Sequence, residues 1–136
     1  MEEDKKMVEY INDSEGAPSA IGPYSQATRV GDMIFLSGQV PLDAETGKLV
    51  EGGIEAQANQ VMKNLSLVLK NVGGDFSNVC KTTILLQDLS HFGVVNEIYG
   101  AWMKDSRPAR ATFEVAGLPL GSLIEIEMIA NIPKRP

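Results

Sequence analysis

Between Glu55 and Val72 the chain changes period, and that change constrains its architecture more than any other feature. Ala58, Val61, Met62, Leu65, Val68, Leu69 and Val72 fall on one helical face, while Gln60, Lys63, Asn64 and Lys70 fall elsewhere. Gly73-Gly74 ends the run as a C-terminal cap pair would. A stripe of this kind has to be buried against another layer, and the segments on either side read as strands.

Upstream, Val8–Ile11 reads as a short strand ending at the turn cluster Asn12-Asp13-Ser14-Glu15-Gly16. A loop of small residues and prolines runs through Gly22-Pro23-Tyr24, and Gln26–Val30 and Met33–Ser37 then flank the compact turn Gly31-Asp32. Gly38, Pro41 and Thr46-Gly47 interrupt regular structure. Downstream, Val79–Leu86 is a strand whose apolar end, Ile84-Leu85-Leu86, predicts cover on both faces. A second helix follows, with Ser90 as its N-cap, Leu89 and Val94 as a hydrophobic staple, and Val95, Ile98, Tyr99, Trp102 and Met103 facing inward.

Pro108 has no N–H to give a ladder, so it suits the start of a strand and not its middle. Beyond it Arg110, Thr112 and Glu114 face one way and Ala111, Phe113 and Val115 the other. After the loop Gly117-Leu118-Pro119-Leu120-Gly121, a last strand runs from Leu123 to Ile132. The order is β-β-β-α-β-α-β-β, which predicts an α+β fold with two helices on one face of a mixed β-sheet.

At 136 residues the chain is expected to form one domain from residue 8 onward, with residues 1–7 as an N-terminal extension. No apolar run approaches the roughly 18 residues needed to cross a bilayer. The start, Met1-Glu2-Glu3-Asp4-Lys5-Lys6, lacks the hydrophobic stretch of a secretory signal, so the expected compartment is the cytoplasm. A net charge of −6 disfavours a nucleic-acid surface, which draws on clustered Lys and Arg.

Cys80 is the single cysteine and His91 the single histidine, which excludes an internal disulfide, a thiolate metal cluster and a two-histidine metal site within one chain. Catalysis would therefore rest on carboxylates, Arg, Lys, Tyr, hydroxyls or backbone. Cys80 reads as a core filler within its strand, and His91 as an exposed residue in the first turn of the second helix.

Arg110, held by stiff backbone at the mouth of a strand, suits a planar anion such as a carboxylate, or else a surface ion pair. In Ile124-Glu125-Ile126-Glu127-Met128 the two glutamates share a strand face about 7 Å apart. If the last two strands form a hairpin, one register sets Glu114 against Glu125. A shift of two residues pairs Thr112 with Glu125 and Arg110 with Glu127, which gives the arginine's face carboxylates within reach. Tyr24 either donates its phenol to a ligand or caps the core edge. Gly38 after Ser37 either lets the backbone approach a ligand or simply turns the chain.

Several stretches taken together resemble the RidA/YjgF family of reactive-intermediate deaminases. They are Ala20-Ile21-Gly22-Pro23-Tyr24-Ser25-Gln26-Ala27, Ser37-Gly38-Gln39, Val79-Cys80-Lys81-Thr82-Thr83, Asp88-Leu89 with Phe92 and Val95-Asn96, Pro108-Ala109-Arg110, and Ile124-Glu125-Ile126-Glu127. They span roughly residues 8–132 in family order. The resemblance implies a chorismate-mutase-like (YjgF) fold, a homotrimer with a ligand cleft at each subunit interface, and no cofactor or metal. It implies hydrolysis of enamines and imines released by pyridoxal-phosphate enzymes, such as 2-aminoacrylate, to 2-keto acids and ammonia.

Carried onto this chain, the family's pattern makes Arg110 the anchor of the substrate carboxylate, Glu125 the residue that positions or activates water, and Tyr24 a pocket wall. Ser37, Gly38, Asn96 and the backbone N–H of Thr112 complete the pocket. The open sheet face, carrying Phe113, Val115, Ile124 or their opposite partners, is the surface that trimer packing would cover. Two departures stand out: Thr112 replaces a cysteine found in some members, and Arg107 stands where an apolar or small residue is common. Two other readings compete: a non-enzymatic trimer that binds keto acids or acts as a holdase, and an RNA-directed role as ribonuclease or translation inhibitor.

Overall fold

A computed structural model describes residues 7–134, so the extension assigned to residues 1–7 lies outside the described residues except for Met7. Six strands form one sheet: β1 (Glu9–Ile11), β2 (Ala27–Val30), β3 (Met33–Gln39), β4 (Val79–Leu86), β5 (Ala109–Glu114) and β6 (Ile124–Asn131). Two helices, α1 (Gly53–Asn71) and α2 (Phe92–Met103), pack on it. The spatial order is β1-β2-β3-β6-β4-β5. This is the element order the sequence predicts.

β1, β2 and β3 form an antiparallel meander. Helix α1 then carries the chain past the slot that β6 fills between β3 and β4. Helix α2 joins β4 to β5, which run parallel, as a pair with a long crossover must. The expected hairpin of the last two strands does not form, because β4 lies between them. The buried residues explain the arrangement. Ile84 and Leu86 of β4 and Ile124, Ile126 and Met128 of β6 are all almost fully buried, so these strands take the centre. β5 has no buried residue and takes the edge.

The core lies between the sheet and the helices. Val61, Met62, Leu65, Val68 and Leu69 of α1 meet Ile34, Leu36 and the central residues of β4 and β6. From α2 come Val95, Tyr99 and Met103, with Ile98 and Trp102 partly covered. Ile124 therefore belongs to this core and not to the open face, where its neighbour Glu125 sits instead. Leu85, expected to be covered on both sides, is half-buried on the open face beside Phe113.

Local details differ from the sequence reading where a non-local contact or an irregular turn intervenes. Asn64 is fully buried; its amide donates to the carbonyls of Val40 and Leu42 and ties that loop to α1. A 3-10 turn, Leu89–His91, precedes α2, and Asp88 caps it by accepting the Ser90 N–H at 2.8 Å. Ser90 is thus not the cap, and Leu89 and Val94 are both exposed, so no staple forms. His91 is half-buried, not exposed. Cys80 sits where the β4–β6 register shifts between Val79 and Lys81, and this bulge turns it out of the core to an exposed position.

Candidate functional site

Strand β3 slips its register against β6 between Leu36 and Gln39, and Ser37-Gly38 occupies that irregularity. Extra backbone in a bulge opens the pleat locally, and the side chain of Glu125 fills the opening. A Cβ at Gly38 would stand 2.9 Å from Cδ of Glu125, so a larger residue there requires the Glu125 side chain to move. Ser37 is pinned to the preceding loop: its N–H donates to the Gln26 carbonyl at 3.0 Å and its hydroxyl to the Ser25 carbonyl at 2.5 Å. Tyr24, on the same loop and 56% exposed, lines one cleft with Ser37 and Gly38. Burial raises the pKa of Glu125 above the ordinary 4.5, and the like charge of Glu127 pushes it the same way.

A second cluster gathers at the other edge of the sheet. Arg110 lies opposite Thr82 at the start of β5, with its side chain toward the helices. Its Nη1 donates to Oδ1 of Asn96 on α2 at 2.8 Å. The guanidinium carbon stands 5.1 Å from the centre of the Tyr99 ring and 5.4 Å from that of Phe92. Two aromatic faces and one amide therefore hold the charge in place while leaving other donors open. Tyr99 is itself fixed, its hydroxyl 2.9 Å from that of Thr82. Val115 donates its N–H to the Leu86 carbonyl of β4 at 2.9 Å. Alternation along the strand then turns the N–H of Thr112 away from β4 and out of the sheet edge.

The two clusters do not meet within one protomer. Arg110 pairs with Thr82 and faces the helices, whereas Glu125 pairs with Leu85, three residues along β4, and faces the other way. The register in which the arginine's face carries Glu125 and Glu127 is thereby overturned, because the intervening β4 resets which faces match. Tyr24, Ser37, Gly38 and Glu125 form one half; Asn96, Arg110 and Thr112 form the other. Glu114 belongs to neither, since its carboxylate accepts the Leu89 N–H at 2.9 Å. The aromatic cradle of Phe92 and Tyr99 is the part that the sequence reading missed. Its signal was present: Phe92, Asn96 and Tyr99 are spaced by four and three residues, hence on one face of α2.

The family described as Endoribonuclease L-PSP matches residues 14–132. A Mus musculus protein named 2-iminobutanoate/2-iminopropanoate deaminase is 56% identical over 114 residues, 84% of either chain. An Arabidopsis thaliana protein named Reactive Intermediate Deaminase A, chloroplastic, is 50% identical over 119 residues, 88% of this chain and 64% of its own. The crystal structure of RidA from the Antarctic bacterium Psychrobacter sp. PAMC 21119 superposes with a TM-score of 0.85 at 43% identity, covering 89% of this chain and 98% of its own. Among the described residues no helix is long and apolar enough to cross a membrane.

Proposed function

The chain belongs to the endoribonuclease L-PSP family, the YjgF/RidA group, and from that premise we propose that it is a 2-iminobutanoate/2-iminopropanoate deaminase, working as a homotrimer with its sites between subunits. The observation that carries the reading is the division of the site residues between opposite faces of one sheet. A carboxylate anchor at one sheet edge and a carboxyl of raised pKa on the open face make a complete site only when a second copy joins them. The open face offers the surface for it: Tyr10, Phe35 and Phe113 are exposed there, alongside the unpaired edge of β5. Cyclic closure by three copies would cover these surfaces.

The chemistry asks little of the protein, because an imine carbon is already electrophilic. Arg110, oriented by Asn96, holds the substrate carboxylate, and the outward N–H of Thr112 adds a donor. Glu125 of the neighbouring copy takes a proton from a water that adds to the imine carbon, while the imine nitrogen gains a proton from solvent. The resulting carbinolamine collapses: the C–N bond breaks, the nitrogen leaves as ammonia with the proton returned by Glu125, and the hydroxyl gives its remaining proton to solvent as it becomes the 2-keto group. A raised pKa suits a group that must accept and return that proton. Tyr24, Ser37 and Gly38 wall the water side, and fixing carboxylate and water supplies mostly orientation. Enamines such as 2-aminoacrylate enter through their imine tautomer.

The test is the loss of 2-aminoacrylate, generated in place by a serine dehydratase, with wild type and with Arg110→Ala, alongside light scattering for mass. Faster loss with wild type alone supports the reading. A folded trimer that binds 2-ketobutyrate saturably without hydrolysing any imine would point to a keto-acid-binding module instead. RNA cleavage that persists in Arg110→Ala at high salt would point to the RNA-directed role. Cytosolic residence is part of the proposal, and fractionation of the source cells tests it.

A further inference from the structure

Arg110 shares a cavity of about 480 Å³ with a second arginine, Arg107. Asn96 and Ser106 supply the other polar lining, Tyr99 and Met103 an apolar wall, and among the described residues no carboxylate lines the cavity. Two guanidiniums facing one space without a counter-charge repel each other, and an anion placed between them relieves that repulsion.

Arg107 is also held, unlike a loose surface arginine. Its Nη1 donates to the carbonyls of Lys104 at 2.5 Å and Ser106 at 2.9 Å. These carbonyls follow the end of α2, where the helix dipole favours a cation. Lys104 sits at φ 58°, ψ −116°, a conformation costly for any residue with a Cβ. That sharp bend directs Ser106 and Arg107 along the cavity wall. With one nitrogen anchored, the rest of the fork remains for a ligand.

We propose that Arg107 receives the distal carboxylate of an imino diacid whose 2-carboxylate rests on Arg110, so that dicarboxylic imines are substrates alongside 2-iminobutanoate and 2-iminopropanoate. The inference rests on the deaminase reading and extends its substrate class to diacids. A single-arginine site needs only the carboxylate beside the imine; the second, fixed guanidinium is redundant for a substrate with an alkyl tail. The reaction supplying such a substrate would be a two-electron oxidation of an acidic amino acid, or dehydration of its 3-hydroxy derivative.

The experiment compares 2-iminoglutarate, from glutamate and its oxidase, with 2-iminobutanoate, from threonine and its dehydratase, with semicarbazide trapping the unreacted imine. The measured quantity is the ratio of kcat/KM for the diacid to that for the monoacid. Arg107→Ala should lower this ratio about tenfold, the size of one lost charged hydrogen bond. Arg107→Gln, which keeps a donor for the Lys104 carbonyl, should show the same fall, and the ratio cancels any common loss of folded protein. An unchanged ratio in both variants overturns the proposal. If wild type hydrolyses neither imine, the deaminase reading fails, and titration with 2-oxoglutarate and 2-oxobutanoate decides the two-arginine site by itself. Selective weakening of 2-oxoglutarate in Arg107→Ala supports it, and parallel behaviour of the two keto acids overturns it.

Discussion

The side chain of Glu125 occupies the space that a side chain at Gly38 would fill. A Cβ there would stand 2.9 Å from Cδ and 3.1 Å from Cγ of Glu125. Because the obstacle is the end of a flexible side chain, Gly38→Ala should fold and displace the carboxylate. We expect kcat to fall about a hundredfold, the lower end of what a positioned general base contributes. Thermal melting close to wild type, with that loss of rate, would separate displacement from unfolding.

Glu125 also dictates a pH dependence. Burial first and Glu127 second raise its pKa above 4.5, so the acid limb of kcat/KM should lie above that value. Glu127→Gln removes the smaller cause and should move the limb partway back toward 4.5. The same shift acts on stability. A raised pKa means that the folded chain binds this proton more tightly than the unfolded chain, so the group's contribution is full below about 4.5 and is lost as pH rises through its folded value. Glu125→Gln should therefore melt higher than wild type at neutral pH, with the gain fading as the pH falls through the folded pKa toward 4.5.

Asn96 touches Arg110 through one hydrogen bond of 2.8 Å, and the proposed function makes it a positioning residue. Asn96→Ala leaves the aromatic cradle intact but frees the guanidinium to turn. The expected outcome is a rise in KM of about tenfold with a smaller change in kcat, read from initial rates on 2-iminobutanoate. An equal fall in kcat would assign Asn96 a direct part in the chemistry.

Much of this fold was legible because periodicity is local. The α1 stripe identified Val61, Leu65, Val68 and Leu69 as core, and all are fully buried. β4 runs over the residues expected of it. Strand neighbours were not legible. Alternation says that Arg110, Thr112 and Glu114 share a face, but not which strand lies beside them. Once β4 separates β5 from β6, the faces of Arg110 and Glu125 follow from pairing parity, which no short motif encodes. Asn64 shows the same limit on a helix, since its burial depends on the carbonyls of Val40 and Leu42 more than twenty residues away. Cys80 was lost to a one-residue irregularity in the ladder.

Lys104 carries strain that glycine would relieve. At φ 58°, ψ −116° a side chain costs about 1–3 kcal/mol, while glycine costs about 0.5–1 kcal/mol in extra freedom of the unfolded chain. Lys104→Gly should raise the melting temperature at fixed chain concentration. A lower one would mean that the lysine side chain contributes more than its backbone costs.

Shared sites can be tested by mixing. Arg110→Ala and Glu125→Gln, each inactive alone, should regain activity when unfolded and refolded together. Random assembly makes about three quarters of the trimers mixed, each with one intact pairing, and restores about a quarter of the wild-type rate. Silence of the mixture would place both residues in a site built within one subunit.

The opposed orientation of Arg110 and Glu125 has a consequence for how the protein is made. On the proposed reading, a newly synthesised chain carries every functional group and yet has nowhere for them to act together. With the site shared between copies, output at low expression would climb more steeply than the number of chains, and dilution alone would switch the protein off. The opposed faces of the sheet would thus become a threshold on abundance.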